Sequence, residues 1–438
     1  MNFANQISAM GLTSSEERIE LGKVSGSIFR KESLTEGQLN HHVHIVGASG
    51  YGKTVLLSHI IKDRITKNKG LMFIDLKGDV ETILKFSGYA KEVNRLQDLM
   101  IFSLTEKELS TPYNLVSEGT ATQLRDKIML SFVWSEEFYK NQSASFLLKL
   151  LIGLCWLRDK LHINVTLATI LKATESLNFL EALTQKIPDE HQREKEALES
   201  CFIFLSSNDN YKSLQGLRTQ IESLVLSDFG SLVSNSDAGI NLFDAIKNNK
   251  IVFIFLDSRR YGETAKTVGK FILQDLKMVS ARIDSEIRKE DRKSFSVVID
   301  EFADLAQEDF IGFLDRARSS KISIVVAHQE ICDLLRISPE FAGRLMGNTS
   351  TLYAFLQKRP ESAELIASIA GTKKVMKETM RSERMLFFDV ETGDKSLREV
   401  EEFNIHPNQI KTLRVGRCVC VKKYPKSRAY LVAVNPST

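Results

Sequence analysis

Residues 42–65 read HVHIV, then Gly47-Ala48-Ser49-Gly50-Tyr51-Gly52-Lys53-Thr54, then VLLSHIIKDRI. The β-branched run Val43–Val46 predicts a strand, and the residues after Lys53 repeat apolar side chains at helical spacing. Between them Gly47–Thr54 completes GxxxxGK[ST], and the strand–loop–helix setting is the one a phosphate-binding loop requires. Glycines let backbone N–H groups curl around a β-phosphate, and the helix N-terminus adds partial positive charge. Gly47, Ala48, Ser49, Gly50, Tyr51, Gly52, Lys53 and Thr54 are thus the expected cradle for ATP. Lys53 would reach the β- and γ-phosphates, and the Thr54 hydroxyl would ligate Mg²⁺.

Outward from this loop, short apolar runs recur, each followed by helical pattern. Expected strands are Val43–Val46, Leu71–Asp75, Ile251–Asp257, Phe295–Asp300, Ile322–Ala327 and Thr351–Leu356. Near-continuous apolar strands alternating with helices predict an α/β fold with a mostly parallel central sheet. Residues 114–236 break that rhythm with helical periodicity alone, which predicts an all-α domain inserted into a split nucleotide-binding domain of residues 1–113 and 237–438. The tail, RMLFFDVETGDKSLREVEEF and GRCVCVKKYPKSRAYLVAV, predicts a small antiparallel C-terminal β addition with its turn at DVETGD.

Three further motifs bear chemistry. In Ser296-Val-Val-Ile-Asp300-Glu301 an apolar strand ends in two carboxylates. Asp300 is placed to hold Mg²⁺, and Glu301 to polarise an attacking water. Ile322–His328 runs into Gln329, whose amide would lie near a γ-phosphate. Upstream, DRARSSK offers Arg316 and Arg318; either could serve as an arginine finger for a neighbouring subunit's nucleotide, though spacing alone favours a solvated helix end. FIDLKGD, residues 73–79, puts Asp75, Lys77 and Asp79 at the C-terminal edge of its strand, where open α/β sheets bind ligands.

Composition narrows the class. The 438 residues are 43% apolar and 26% charged, with 59 Lys+Arg against 56 Asp+Glu and a net charge of +3. That excludes a polycation and a disordered chain. RIDSEIRKEDRK groups Arg282, Arg288, Lys289 and Arg292, but its acidic residues predict a solvated face rather than a DNA track. Five cysteines without CxxC pairs predict reduced thiols, and the histidines show no metal-ligand spacing. His41, His42 and His44 are expected to be solvated or in the core. The apolar stretch Phe146–Leu157 is too short to span a bilayer, and the N-terminus carries no signal-peptide pattern. The expectation is a soluble, intracellular protein.

Taken in order, HVHIVGASGYGKT, FIDLKGD, VVIDEFADL, RARSSKISIVVAHQ, GNTSTLYAFLQKRPESAELIASIAG and REVEEFNIHPNQIKTL resemble the TraD/TraG type of type IV secretion coupling protein, within the FtsK/HerA group of ATPases. The resemblance covers nearly the whole chain. It implies a RecA-like P-loop domain, with Lys53 and Thr54 as the Walker A pair and Asp300 and Glu301 as Walker B. It implies Gln329 as the glutamine of the third motif and Arg318 as the arginine finger. It also implies a hexamer that hydrolyses ATP with Mg²⁺ and moves DNA or a DNA–protein substrate, partnered by type IV secretion or conjugation components and relaxase-like proteins. Many such proteins begin with membrane-spanning helices; this chain shows none, and a cytoplasmic protein, peripheral at the inner membrane through its partners, is expected. Two alternatives remain open: a HerA-like translocase in DNA repair, and a nucleotide-dependent receptor for secreted proteins.

Overall fold

The computed structural model describes residues 17–27, 29–234, 239–385 and 388–436, without the side chains of 378–397. The chain divides into two compact units. The first is Met1–Ile60, Ala306–Ile311 and Ile324–Thr438; the second is Ile61–Leu305 and Gly312–Ser323.

The first unit is built on β1 (Arg18–Val24), β2 (Lys31–Thr35), β3 (Val43–Val46), β9 (Thr351–Ala354), β12 (Arg417–Lys422), β13 (Arg428–Val434) and the greater part of β8 (Ile322–His328). β3 lies parallel between β8 and β9. From β9 the sheet continues antiparallel through β12, β13, β1 and β2. β3, β8 and β9 are buried at every position, which is why they read as continuous apolar runs. The tail strands β12 and β13 therefore extend the main sheet of this unit. An apolar core beneath β9 and β12 gathers Val46, Leu352, Ile366, Ile410 and Val419.

The second unit carries β4 (Gly70–Asp75), β5 (Leu99–Ser103), β6 (Ile251–Phe255) and β7 (Phe295–Ile299), all parallel, in the order β7-β4-β6-β5. Aromatic edges lock one face: Phe73 meets Phe86 at 5.2 Å and Phe255 at 5.9 Å, ring centre to ring centre. Between Ser103 and Ile251 the described residues form helices and turns without a strand. The longest helix there, Glu137–Leu161, buries Leu147, Leu150, Leu151, Leu154 and Leu157 on one stripe. This helical segment is tied to the Ser258–Glu286 helix through Asp275, which accepts from Tyr113 Oη at 2.5 Å and Lys127 Nζ at 2.6 Å. The expected segment end at 236 lies outside the described residues.

The register of the tail hairpin differs from expectation. β10 (Thr372–Met385) pairs antiparallel with β11 (Phe388–Phe403) along its length, with Met385 opposite Phe388. DVETGD thus lies within β11 and is not the turn. The charged segment TKKVMKETMRSERM has little apolar alternation to mark it as a strand; cross-strand pairs such as Lys374–Glu399 and Lys377–Glu402, both 2.6 Å, contribute to the ribbon instead.

Among the described residues no helix is long and apolar enough to cross a membrane. The five cysteines are all unpaired. The basic cluster is neutralised locally, with Arg282 on Glu118 and Glu286, Arg288 on Asp291, and Arg292 on Asp284.

Candidate nucleotide site

The Gly47–Gly52 loop leaves the buried strand β3 and opens the Lys53–Thr66 helix, the strand–loop–helix setting expected from the sequence. Gly47 N–H donates to His328 O at 3.2 Å and Ala48 N–H to Leu356 O at 3.0 Å, so neighbouring strand ends fix the start of the loop. Gly50 and Gly52 take φ values of 81° and 115°, a region other residues rarely enter. Lys53 is only 4% exposed, and its Nζ donates to Gly47 O at 2.6 Å. The ammonium is folded into the loop it serves. Thr54, one position on, is exposed.

Gln329 is brought to the same edge. His328 stands opposite Val46 in the parallel β3–β8 pair, so the residues that follow each, Gly47 and Gln329, emerge together. Gln329 is exposed, and its carbonyl accepts from Gln357 Nε2 at 3.1 Å. Directly beneath, His44 and His328 are fully buried with their Nε2 atoms 2.6 Å apart, one donating to the other. Burial, then the neighbouring His328, holds the His44 imidazole far below its ordinary proton affinity. His42 is also buried, its Nδ1 accepting from Ile324 N–H. His42 and His44 are thus core residues.

The carboxylates belong to the second unit. β7 pairs with β4, and Asp300 N–H continues that ladder to Ile74 O at 2.9 Å. Asp300 is 2% exposed. Its Oδ1 accepts from Glu301 N–H at 3.0 Å, while Glu301 itself adopts φ 54°, a costly posture for a non-glycine residue. Lys77, from the loop after β4, reaches across: its Nζ lies 2.9 Å from Asp300 Oδ2 and 3.0 Å from Glu301 Oε1. Burial opposes charge on Lys77, but the two carboxylates outweigh it and push its proton affinity up. Asp75, at the end of β4, is pushed up to about 6 by burial first and by Asp300 second. FIDLKGD had pointed to this edge; what spacing could not give is the Lys77 bridge, which depends on β4 and β7 being neighbours. Arg318 lies just beyond the Phe310–Ala317 helix and is exposed; Arg316, also exposed, donates from Nε to Gly312 O.

Asp75 sets a pH dependence. An acid whose affinity for its proton rises on folding loses stability as it ionises, here between about pH 4 and 6, and the cost persists at neutral pH. Asp75→Asn is expected to raise stability at pH 7 by about 1 to 3 kcal/mol and flatten the profile between about pH 4 and 6. Thermal unfolding across that range checks it; a profile identical to wild type would refute it.

Comparisons with known proteins bear on the same residues. Residues 294–414, which include Asp300, Glu301, Arg318 and Gln329, match the family described as the TraM recognition site of TraD and TraG. The type 4 coupling protein DotL of Legionella pneumophila is 21% identical over 394 residues, covering 77% of this chain and 50% of DotL. The chain is thus similar to a type 4 coupling protein over most of its length, and to the TraD and TraG family over residues 294–414. It spans about half the length of the curated relatives it matches. The bacterial conjugative coupling protein TrwBdeltaN70 shares its fold, with a TM-score of 0.68 at 15% identity over 98% of this chain and 91% of that one. TrwB solved with ADP and Mg²⁺ aligns with a TM-score of 0.67 at 15% identity, covering 97% and 95%. The likeness supports the RecA-like α/β fold that the resemblance implied.

Proposed function

We propose that this coupling-protein homologue binds ATP with Mg²⁺, hydrolyses it, and uses the cycle to recruit and move DNA or a DNA–protein substrate to a type IV secretion or conjugation apparatus. The observation that carries the reading is the phosphate loop, with Lys53 buried against Gly47 O and Gln329 emerging beside it. On this reading residues 114–236 are an all-α insertion in a split P-loop domain. A partner protein of the kind that TraD and TraG recognise would dock on residues 294–414. Six copies would form the working ring, held at the inner membrane by its partners.

The donors suit the metal. Asp300, Glu301 and the Thr54 hydroxyl are hard oxygens of the kind Mg²⁺ takes, and Lys77 already places a cation against two of them. Asp300 and Thr54 would hold Mg²⁺, which when bound neutralises charge on the β- and γ-phosphates. Lys53 offsets phosphate charge from within the loop. Glu301 accepts a proton from the attacking water, and Gln329 orients that water or reports the γ-phosphate. Arg318 acts in trans.

Glu301→Gln keeps the shape but loses the basic oxygen. It should bind ATP with near-normal affinity and turn over about 10² to 10⁴ times more slowly; loss of ATP binding would assign Glu301 a structural role instead. The whole reading is tested by ATPase assays with and without single- and double-stranded DNA, with oligomer size measured in parallel. DNA-stimulated turnover by a ring is expected. Turnover indifferent to DNA, with nucleotide-dependent capture of a secreted protein, would make the chain a receptor.

A further inference from the structure

Resting on the nucleotide-site reading above, we propose that Lys77 is a built-in latch on the Walker B carboxylates: its ammonium pairs with Asp300 and Glu301 and must be displaced before Asp300 can take Mg²⁺. Both Asp300 oxygens already have a partner. Asp300 Oδ1 is engaged by Glu301 N–H at 3.0 Å, and Oδ2 by Lys77 Nζ at 2.9 Å. Mg²⁺ binds carboxylate oxygen at about 2.0 Å in strict octahedral geometry. An ammonium 2.9 Å from Oδ2 and a divalent cation on the same buried carboxylate repel one another strongly, so metal binding favours the state in which Lys77 has swung away.

The arm is built to swing while its base stays fixed. Lys77 N–H donates to Asp75 Oδ1 at 3.0 Å, and Lys77 O accepts from Arg259 Nη2 at 3.2 Å. Ser258 N–H donates to Leu76 O at 2.7 Å. Gly78, at φ 68°, packs so closely that an added Cβ would meet Asp257 Cβ at 2.4 Å. Beyond this pinned backbone runs a flexible four-carbon stem with its side chain 34% exposed, leading to carboxylates that are 2% and 16% exposed.

The latch also acts on the base. Lys77 Nζ lies 3.0 Å from Glu301 Oε1, so an oxygen that would face the attacking water is already engaged. While Lys77 holds it, the water-activating group is suppressed and the charge of the pair is offset. Release of Lys77 by the metal would couple metal loading to activation of Glu301. Lys77 is in this sense a positioning residue acting through Asp300 and Glu301.

The test reads metal affinity directly. Mn²⁺ is titrated, by electron paramagnetic resonance, into wild type, Lys77→Met and Lys77→Arg, each with saturating ADP. Removing the competing charge-assisted bonds should tighten Mn²⁺ binding about tenfold in Lys77→Met, while Lys77→Arg stays within about twofold of wild type. Unchanged or weaker binding in a folded Lys77→Met protein overturns the latch. Should that variant not fold, wild type alone decides. Acetylation by N-hydroxysuccinimide acetate, followed by mass spectrometry, should modify Lys77 faster once Mg²⁺ and ADP are bound, and equal or slower modification refutes displacement. Metal-free ADP binding, followed by a fluorescent ADP, separates the two readings. If wild type binds no ADP, the nucleotide site fails and the latch with it; if ADP binds and Lys77 affects neither metal affinity nor labelling, the latch alone fails.

Discussion

Lys53→Ala is expected to abolish ATP turnover, by about 10³-fold or more, while leaving the fold intact. The scale is that of removing one preorganised charge-stabilising donor from a water-excluded site, which costs about 10² to 10³ in rate, with lost phosphate affinity added. The fold survives because main-chain bonds hold the loop: Gly47 N–H to His328 O and Ala48 N–H to Leu356 O do not use the lysine side chain. Lys53 is buried on Gly47 O, so its replacement also removes a desolvated cation. The check is steady-state ATPase activity together with a thermal melt. Retained turnover by folded Lys53→Ala protein would remove the loop from the nucleotide site.

How much of this was legible from residues alone follows from where each signal is local. The Gly47–Thr54 loop, VVIDE and the strand ending in His328-Gln329 stand out in the sequence because the chemistry proposed for them needs fixed residue types at fixed spacing. Their strands, buried on both faces, write themselves as apolar runs. β1 is no continuous apolar run: exposed Arg18, Glu20 and Lys23 interrupt buried Ile19, Leu21 and Val24, and a bulge between Glu20 and Gly22 breaks the alternation that would mark a half-buried strand. β2 is short and polar, KESLT, and gains its place by pairing with β1. β10 reads as a charged, featureless stretch until β11 lies beside it. The site shows the same division. Lys77 and Asp300 are 223 positions apart in sequence, and His44 and His328 are 284 apart. Each contact is created by strand order, which no local pattern encodes.

Arg318→Ala is the other large effect expected. An arginine finger contributes about 10³ to 10⁵ in rate to P-loop enzymes, whereas removing a solvated surface arginine changes stability by no more than about 0.5 kcal/mol. Arg318 is exposed beyond the end of its helix, where a charge can serve a neighbouring copy. The variant should therefore bind ATP almost normally and melt with wild type, yet lose hydrolysis by about 10³-fold or more. Mixing subunits separates a finger in trans from a role within the same chain. Arg318→Ala and Lys53→Ala are each expected to be inactive alone, but in the ring proposed above a mixture would contain interfaces where an intact phosphate loop on one subunit faces an intact Arg318 on the next. Activity should return in proportion to those interfaces. If mixed rings form, as judged by differently tagged subunits, and no activity returns, Arg318 works within its own chain or turnover requires every site in the ring to be whole.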